Sequence, residues 1–156
     1  MTPRHAEQPA IHTWLVLMKA HRTLSRHAVR SIEALRMCLS DFGILEALLH
    51  KGPQSVRELG RRIELTSGAM TTAIDRLEAR NLIDRCDHAT DRRAWVIHLT
   101  PAGKALITRV FAGHEKAMEK AMSGLSRGDR ATLTDLLKRL GTTADAKLAE
   151  EEGATP

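Results

Sequence analysis

The sequence predicts a mainly α-helical fold with one small β-hairpin, and three observations predict it. Apolar residues recur at helical spacing along most of the 156 residues. Over residues 82–99 the period changes to alternation, in two short runs rich in Ile, Val and Trp. Immediately before that change stand two short helical segments separated by a three-residue link, Glu64 to Thr66.

The elements follow in order. Ile11, Leu15 and Met18 step i, i+4, i+7, and Ala28, Ile32 and Leu35 repeat the step, which predicts one long helix over 9–36. Its polar side bears Lys19, Arg22, Arg26 and Arg30, and its length points to a role in assembly. Ser40 reads as the N-cap of a second helix carrying Phe42, Leu45 and Leu49 and stopped by Gly52-Pro53. Ser55, with Glu58 three residues on, has the capping-box spacing and starts a third helix with Val56, Leu59 and Ile63 inward. A fourth begins at Ser67, buries Met70, Ile74 and Leu77, and ends at Arg80-Asn81, where Asn accepts the left-handed conformation. Strands over 82–87 and 94–99 flank the polar loop 88–93, making a hairpin with two adjacent arginines near its tip. Thr100-Pro101 opens a helix running to about Met122, since Pro suits the first helical position. Ser126 opens the last helix, with an apolar stripe of Leu133, Leu136, Leu137 and Leu140, and the acidic tail beyond Ala144 is expected to fray. The chain has the size of a single domain, 1–156, with no linker dividing it.

Composition narrows the function classes. With 42% hydrophobic and 28% charged residues the chain can bury a core. No run approaches the length of a membrane span, and Met1 to Gln8 lack the apolar stretch of a signal peptide, so no membrane partner and a cytoplasmic location are expected. Two cysteines, Cys38 and Cys86, are too few for a disulfide scaffold or a four-thiolate zinc site. A formal charge of +5 favours a polyanionic partner, while 3% aromatic residues and no Tyr argue against stacking on single strands, leaving duplex DNA. The enzyme class lacks support: there is no Gly-rich phosphate loop, no Gly-flanked nucleophilic Ser and no zinc-protease His pair. The histidines at 12, 21 and 27 do not share a helical face, so no metal and no cofactor are expected. Asp75 and Glu78 have Arg76 and Arg80 as neighbours, which reads as a surface ion-pair network.

Two helices on a tight link followed by a hairpin with a basic tip make a winged helix-turn-helix. The second helix offers Ser67, Gly68, Thr71 and Thr72 on its outer face, groups able to meet phosphates, base edges or a thymine methyl in the major groove. The alternative reading is that Ser67, Thr71 and Thr72 merely cap and decorate an exposed helix. Arg92 and Arg93 suit a minor-groove probe, with Asp91 placed to hold an arginine. Arg57, Arg61 and Arg62 are candidate phosphate clamps. From Arg57 to Arg93 eight arginines face seven acids, so DNA binding rests on placement rather than bulk charge.

These residues carry a resemblance. The run Leu65-Thr-Ser-Gly-Ala-Met-Thr-Thr-Ala-Ile-Asp-Arg-Leu-Glu78, then Leu82-Ile-Asp-Arg85, Asp91-Arg-Arg93 and Leu99-Thr-Pro-Ala-Gly103, resembles the MarR family of bacterial transcriptional regulators. The resemblance spans roughly 39–106. It implies a homodimer built from helices at 9–36 and 100–148 around a DNA-binding lobe at 39–99, and a repressor located with the nucleoid when bound. It implies Ser67, Gly68, Thr71 and Thr72 on the recognition helix, Arg93 in the minor groove, and an Asp91–Arg85 ion pair bracing the wing. Asn81 stands where a Gly is usual, and Thr72 where many relatives carry a long basic residue, which bears on base preference.

Control of DNA binding is read from the same resemblance. Family members respond to small aromatic or phenolic ligands or to oxidants, and the segment 48–53 with 67–72 looks most like the phenol- and quinone-sensing branch. Trp14, Met18, His21, Cys38 and Phe42 are the candidate lining of an effector pocket where the first helix meets the DNA-binding lobe, though Met18 and Phe42 also fit core stripes and Trp14 fits a dimer interface. Cys38, close to Arg36, is the alternative as a redox-sensing thiol, and free cysteine is more often a small buried hydrophobe. A winged-helix adaptor that binds protein instead of DNA is the third class.

Overall fold

The computed structural model describes residues 9–87 and 95–153. Its element order is α1 (Ala10–Ala34), α2 (Leu39–Lys51), β1 (Gln54–Ser55), α3 (Val56–Ile63), α4 (Ser67–Ala79), β2 (Ile83–Asp87), β3 (Trp95–Leu99), α5 (Pro101–Ala121) and α6 (Arg127–Gly153). The chain divides into two compact units between Glu119 and Lys120.

In the first unit the core gathers on α2, which buries Phe42, Ile44, Leu45, Ala47 and Leu48, together with Leu59, Ile74, Leu77, Ile83, Ile97 and Ile107 from the elements around it. Two helices close the same way. At the end of α1, Arg36 takes a left-handed φ of 57°, so Arg36 N–H reaches the Glu33 carbonyl and Met37 N–H the Ile32 carbonyl. At the end of α4, Asn81 takes φ 55°, its N–H bonds the Glu78 carbonyl, and Leu82 N–H bonds the Leu77 carbonyl at 3.0 Å. Both are Schellman closures with an apolar pair across the turn, Ile32 with Met37 and Leu77 with Leu82, all four buried.

That first closure alters the start of α2. The chain leaves the left-handed turn already poised for a helix, so Cys38 is the N-cap, without a side-chain bond, and Ser40 lies inside the first turn. The expected Ser40 cap is therefore corrected: its hydroxyl accepts from Arg76 at 3.2 Å instead. The capping box at Ser55 and Glu58 is present as expected. In α4 the cap is one residue earlier than expected: Thr66 Oγ1 accepts from Ala69 N–H at 3.3 Å, and Ser67 is the first helical residue.

The hairpin pairs antiparallel from Ile83 opposite Leu99 to Asp87 opposite Trp95. A third strand was not foreseen. β1 pairs with β3, Gln54 opposite Ile97 and Ser55 opposite Val96, giving the sheet order β1-β3-β2. Two residues are too few to show alternation. Thr100 roots the wing: its hydroxyl donates to the Asn81 carbonyl at 2.8 Å and accepts from Gly103 N–H at 2.9 Å, capping α5.

In the second unit Ser126 and Asp129 form a reciprocal cap at the start of α6. The helix continues to Gly153 rather than fraying beyond Ala144, because residues 145–152 are Ala, Leu, Lys, Glu and one Asp, with no Gly or Pro to stop it. It buries none of its residues within the chain.

Candidate nucleic-acid interface

The helix-turn-helix is α3 and α4, joined through Glu64, which ends α3 in the left-handed region at φ 56°. Met70, Ala73, Ile74 and Leu77 seat α4 on the core. The opposite face is exposed and carries Ser67, Gly68, Thr71 and Thr72 over its first turns. Thr66, not Ser67, supplies the side-chain cap of this helix. Gly68 has a helical backbone and open space where a Cβ would stand, so nothing inside the protein calls for glycine there.

Farther along the same face lie Asp75 and Glu78, two acids that would repel a phosphate backbone. Arg85 of β2 answers both: its Nη2 bonds Asp75, and its Nε lies 3.4 Å from Glu78. This corrects the expected network, in which Arg76 and Arg80 served those acids. Adjacent helical positions point in different directions, and Arg76 and Arg80 both reach Asp41 of α2 (Arg80 at 3.4 Å). Hydrogen bonding to Asp41 is the main cause of a further upward shift in the Arg76 pKa, so that guanidinium is held charged. Arg85 thus ties β2 to α4, with Asp75 and Glu78 as its partners among the described residues, whereas the expected pair was with Asp91. Asp91, Arg92 and Arg93 lie outside the described residues.

Arg57, Arg61 and Arg62 are exposed on α3. Arg62 also has an internal task, donating from Nε to Gln54 Oε1 at 3.2 Å, while buried Gln54 donates to the Ala47 carbonyl.

The five candidate effector residues do not come together within one chain. Phe42 packs beside His114, whose Nδ1 is 2.7 Å from Ser31 Oγ on α1. Trp14 stands seventeen residues before Ser31 on the same helix, about 25 Å along its axis at ordinary helical rise. Trp14, Met18 and His21 are exposed on that distant part of α1. Cys38 is exposed, its Sγ 3.4 Å from Arg76 Nη2 and 3.4 Å from Ser40 Oγ.

Around Phe42 the structure assembles a cluster that the sequence pattern did not disclose. The Phe42 and Phe111 rings stack at 6.4 Å, His114 meets Phe42 edge-on at 4.9 Å, and His50 meets Phe111 at 4.7 Å. Burial pushes the His114 pKa down, partly opposed by Glu46. A signal existed: Phe42, Glu46 and His50 fall at i, i+4, i+8 on one stripe of α2, and Phe111 and His114 at i, i+3 on α5. Among the described residues there is no group of three potential metal ligands, and no helix is long and apolar enough to cross a membrane.

Comparisons with known proteins agree with this architecture. The sequence profile of the MarR family matches residues 39–94, which cover the helix-turn-helix and reach the wing. The HTH-type transcriptional regulator MhqR of Bacillus subtilis is 31% identical over 137 residues, spanning 88% of this chain and 94% of that protein. Among solved structures, Bordetella bronchiseptica BpsR, whose DNA binding is regulated by 6-hydroxynicotinic acid, superposes with a TM-score of 0.70 at 23% identity, covering 83% of this chain and 98% of that one. A cysteine-to-serine variant of MarR from E. coli, complexed with operator DNA, gives 0.67 at 21% identity, covering 80% and 90%. With two helices on a tight link, a hairpin tied to the second of them through Arg85, and a relative 31% identical over 88% of its length, this chain belongs to the MarR family of winged-helix transcriptional regulators.

Proposed function

We propose that this DNA-binding regulator is a homodimeric repressor that grips an inverted-repeat operator and is released from it by a small aromatic or phenolic effector. In this reading Ser67, Gly68, Thr71 and Thr72 enter the major groove, Arg92 and Arg93 reach the minor groove, and Arg57, Arg61 and Arg62 contact phosphates. The observation that carries it is the outer face of α4, small and polar over its first turns, with Asp75 and Glu78 held by Arg85.

A second copy of the chain is supported by apolar surface with no cover within the chain. Ile11, Trp14 and Leu15 of α1 are 64%, 54% and 50% exposed, and Leu136 and Leu140 of α6 are 52% and 51% exposed. Isolated apolar residues on a surface are ordinary, whereas continuous stripes mark association. Two recognition helices about 34–36 Å apart would meet successive major grooves.

The effector reading is supported by the Phe42, Phe111 and His114 cluster, a mostly apolar patch with polar atoms able to orient a ring. The regulation of BpsR by 6-hydroxynicotinic acid is a parallel in a protein of the same fold. A thiol route is the second reading, favoured by the exposure of Cys38 beside Arg76. Cys38→Ser that retains full release by quinones and peroxides removes it.

The test is selection of genomic fragments by the purified full-length protein, with affinity then titrated against salt. Recovery of a short inverted repeat, bound by a dimer with a slope of about −0.9 per phosphate contact, is expected. Arg93→Ala should lower that affinity about tenfold or more. Weak, uniform binding to random fragments would overturn the reading in favour of a protein-binding adaptor.

A further inference from the structure

The two threonines of the recognition face hold their hydroxyl protons inward. Thr71 Oγ1 donates to the Ser67 carbonyl at 3.0 Å, and Thr72 Oγ1 donates to the Gly68 carbonyl at 3.0 Å. A threonine hydroxyl has one proton, so neither side chain has a donor left for a base while those bonds stand. Both residues are exposed. What each turns outward is a methyl group and the unused lone pairs of the hydroxyl oxygen.

The rest of that face supplies no substitute donor of the kind that reads guanine. Guanine is read in the major groove by Arg or Lys donating to its O6 and N7. The first six residues of α4, Ser67 to Thr72, contain neither. The first arginine of the helix, Arg76, is turned to Asp41, as is Arg80 beyond it. Among the four base-pair edges, an A·T pair matches what Thr71 and Thr72 offer. Its thymine presents the C5 methyl, and its adenine N6 amine is a donor for a lone pair.

We infer that Thr71 and Thr72 select A·T pairs within each half-site by methyl-to-methyl contact with thymine, using their side-chain carbons and not their hydroxyl protons. This rests on α4 entering the major groove, as proposed above. The stiffness of a β-branched side chain in a helix supports it, because the bond to the preceding turn fixes χ1 and holds the methyl in one direction. A serine would make the same backbone bond and present no methyl.

The experiment uses the full-length protein and the tightest-binding duplex recovered by fragment selection. Each thymine of the half-sites is replaced in turn, symmetrically, by deoxyuridine, which lacks only the C5 methyl. At one or two positions affinity should fall about fourfold per half-site, the scale of one buried methyl. Thr71→Ser or Thr72→Ser should lose a similar factor on the thymine duplex and lose nothing further when the matching deoxyuridine is introduced. Thr71→Val and Thr72→Val keep a methyl and should bind within about twofold of the parent. Far-ultraviolet circular dichroism checks that these exposed variants stay folded. Affinity indifferent to every deoxyuridine, or valine variants that lose more than the serine ones, would overturn the inference and leave the regulator reading intact. Absence of any preferred duplex would overturn both.

Discussion

The carboxylate of Asp41 lies under the guanidinium of Arg76: Arg76 Nε is 3.1 Å from both carboxylate oxygens, and Asp41 is only 2% exposed. The two residues are thirty-five positions apart, one near the start of α2 and the other on α4. Arg80 adds a contact one turn farther along α4. A carboxylate buried this deeply is tolerated because both oxygens are paired. Its effect is to fix the rotation of α4 about its own axis, and so the direction in which Thr71 and Thr72 point.

Asp41→Asn keeps the shape and removes the charge. It leaves two arginines without their counter-ion and a buried amide that cannot accept on both arms. The expected loss is on the order of 1–3 kcal/mol of stability, the scale of hydrogen bonds to a charged group. Denaturant unfolding measures it. DNA affinity of the folded variant should fall as well, although Asp41 itself is buried. Arg76→Lys should fall between, since an ammonium cannot reproduce the fork geometry.

Two glycines make opposite predictions. At Gly103 an added Cβ would overlap the Leu82 carbonyl, coming within 2.8 Å of its carbon, so the backbone of α5 or of the wing root must move. Gly103→Ala should destabilise the protein by about 1–3 kcal/mol, as overpacking does. At Gly68 the same addition meets open space. Gly68→Ala should stabilise by about 0.5–1 kcal/mol, the ordinary gain of Ala over Gly in a helix. On the proposed reading it should also weaken DNA binding, because the methyl would stand between the helix backbone and the duplex. Thermal melts and DNA titrations of the two variants separate packing from function. A Gly68→Ala protein that is more stable and binds DNA unchanged would remove Gly68 from the interface.

What the sequence displays and what it hides divide along physical lines. Periodic burial is repeated many times over, so the i, i+4, i+7 spacing alone assigns Met70, Ile74 and Leu77 to the inner face of α4. The capping box at Ser55 and the Asn81 closure are local, encoded within four and six residues, and are equally legible. The position of a cap to within one residue is not. Thr66 and Ser67 have similar preferences as N-caps, and the turn at Arg36, which sets the entry of α2, places Cys38 rather than Ser40 at the cap position. Ion-pair partners are least legible. Arg76 and Arg80 stand beside Asp75 and Glu78 in sequence, and Asp41 lies far upstream, but helical rotation turns the arginines to Asp41 and leaves the acids to Arg85. The aromatic cluster at Phe42 needs α2 and α5 to be placed side by side, which no single stripe reveals.

That cluster makes the chain sensitive to pH in a definite direction. Ser31 Oγ donates to the Ala28 carbonyl at 2.8 Å, so its contact with His114 is satisfied by a proton on His114 Nδ1, and the neutral ring carries that tautomer. Burial pushes the His114 pKa below its ordinary 6.5, with the charge of Glu46 on α2 acting the other way. His50, against Phe111 and 3.8 Å from Glu46, also faces the cluster. In the unfolded chain His114 titrates near 6.5, so between the two values the unfolded state binds more protons than the folded one. Stability therefore rises with pH across that window and is lost as pH falls below 6.5 toward the folded value. His114→Gln retains a side-chain amide that can donate to Ser31 and does not titrate. Unfolding free energies of both proteins, measured from pH 7.5 down to 5, should converge as the pH falls, because the parent loses the His114 contribution and the variant has none to lose. Parallel curves would show that His114 is as easily protonated in the folded protein as in the unfolded chain, and that the Phe42 cluster is open to water.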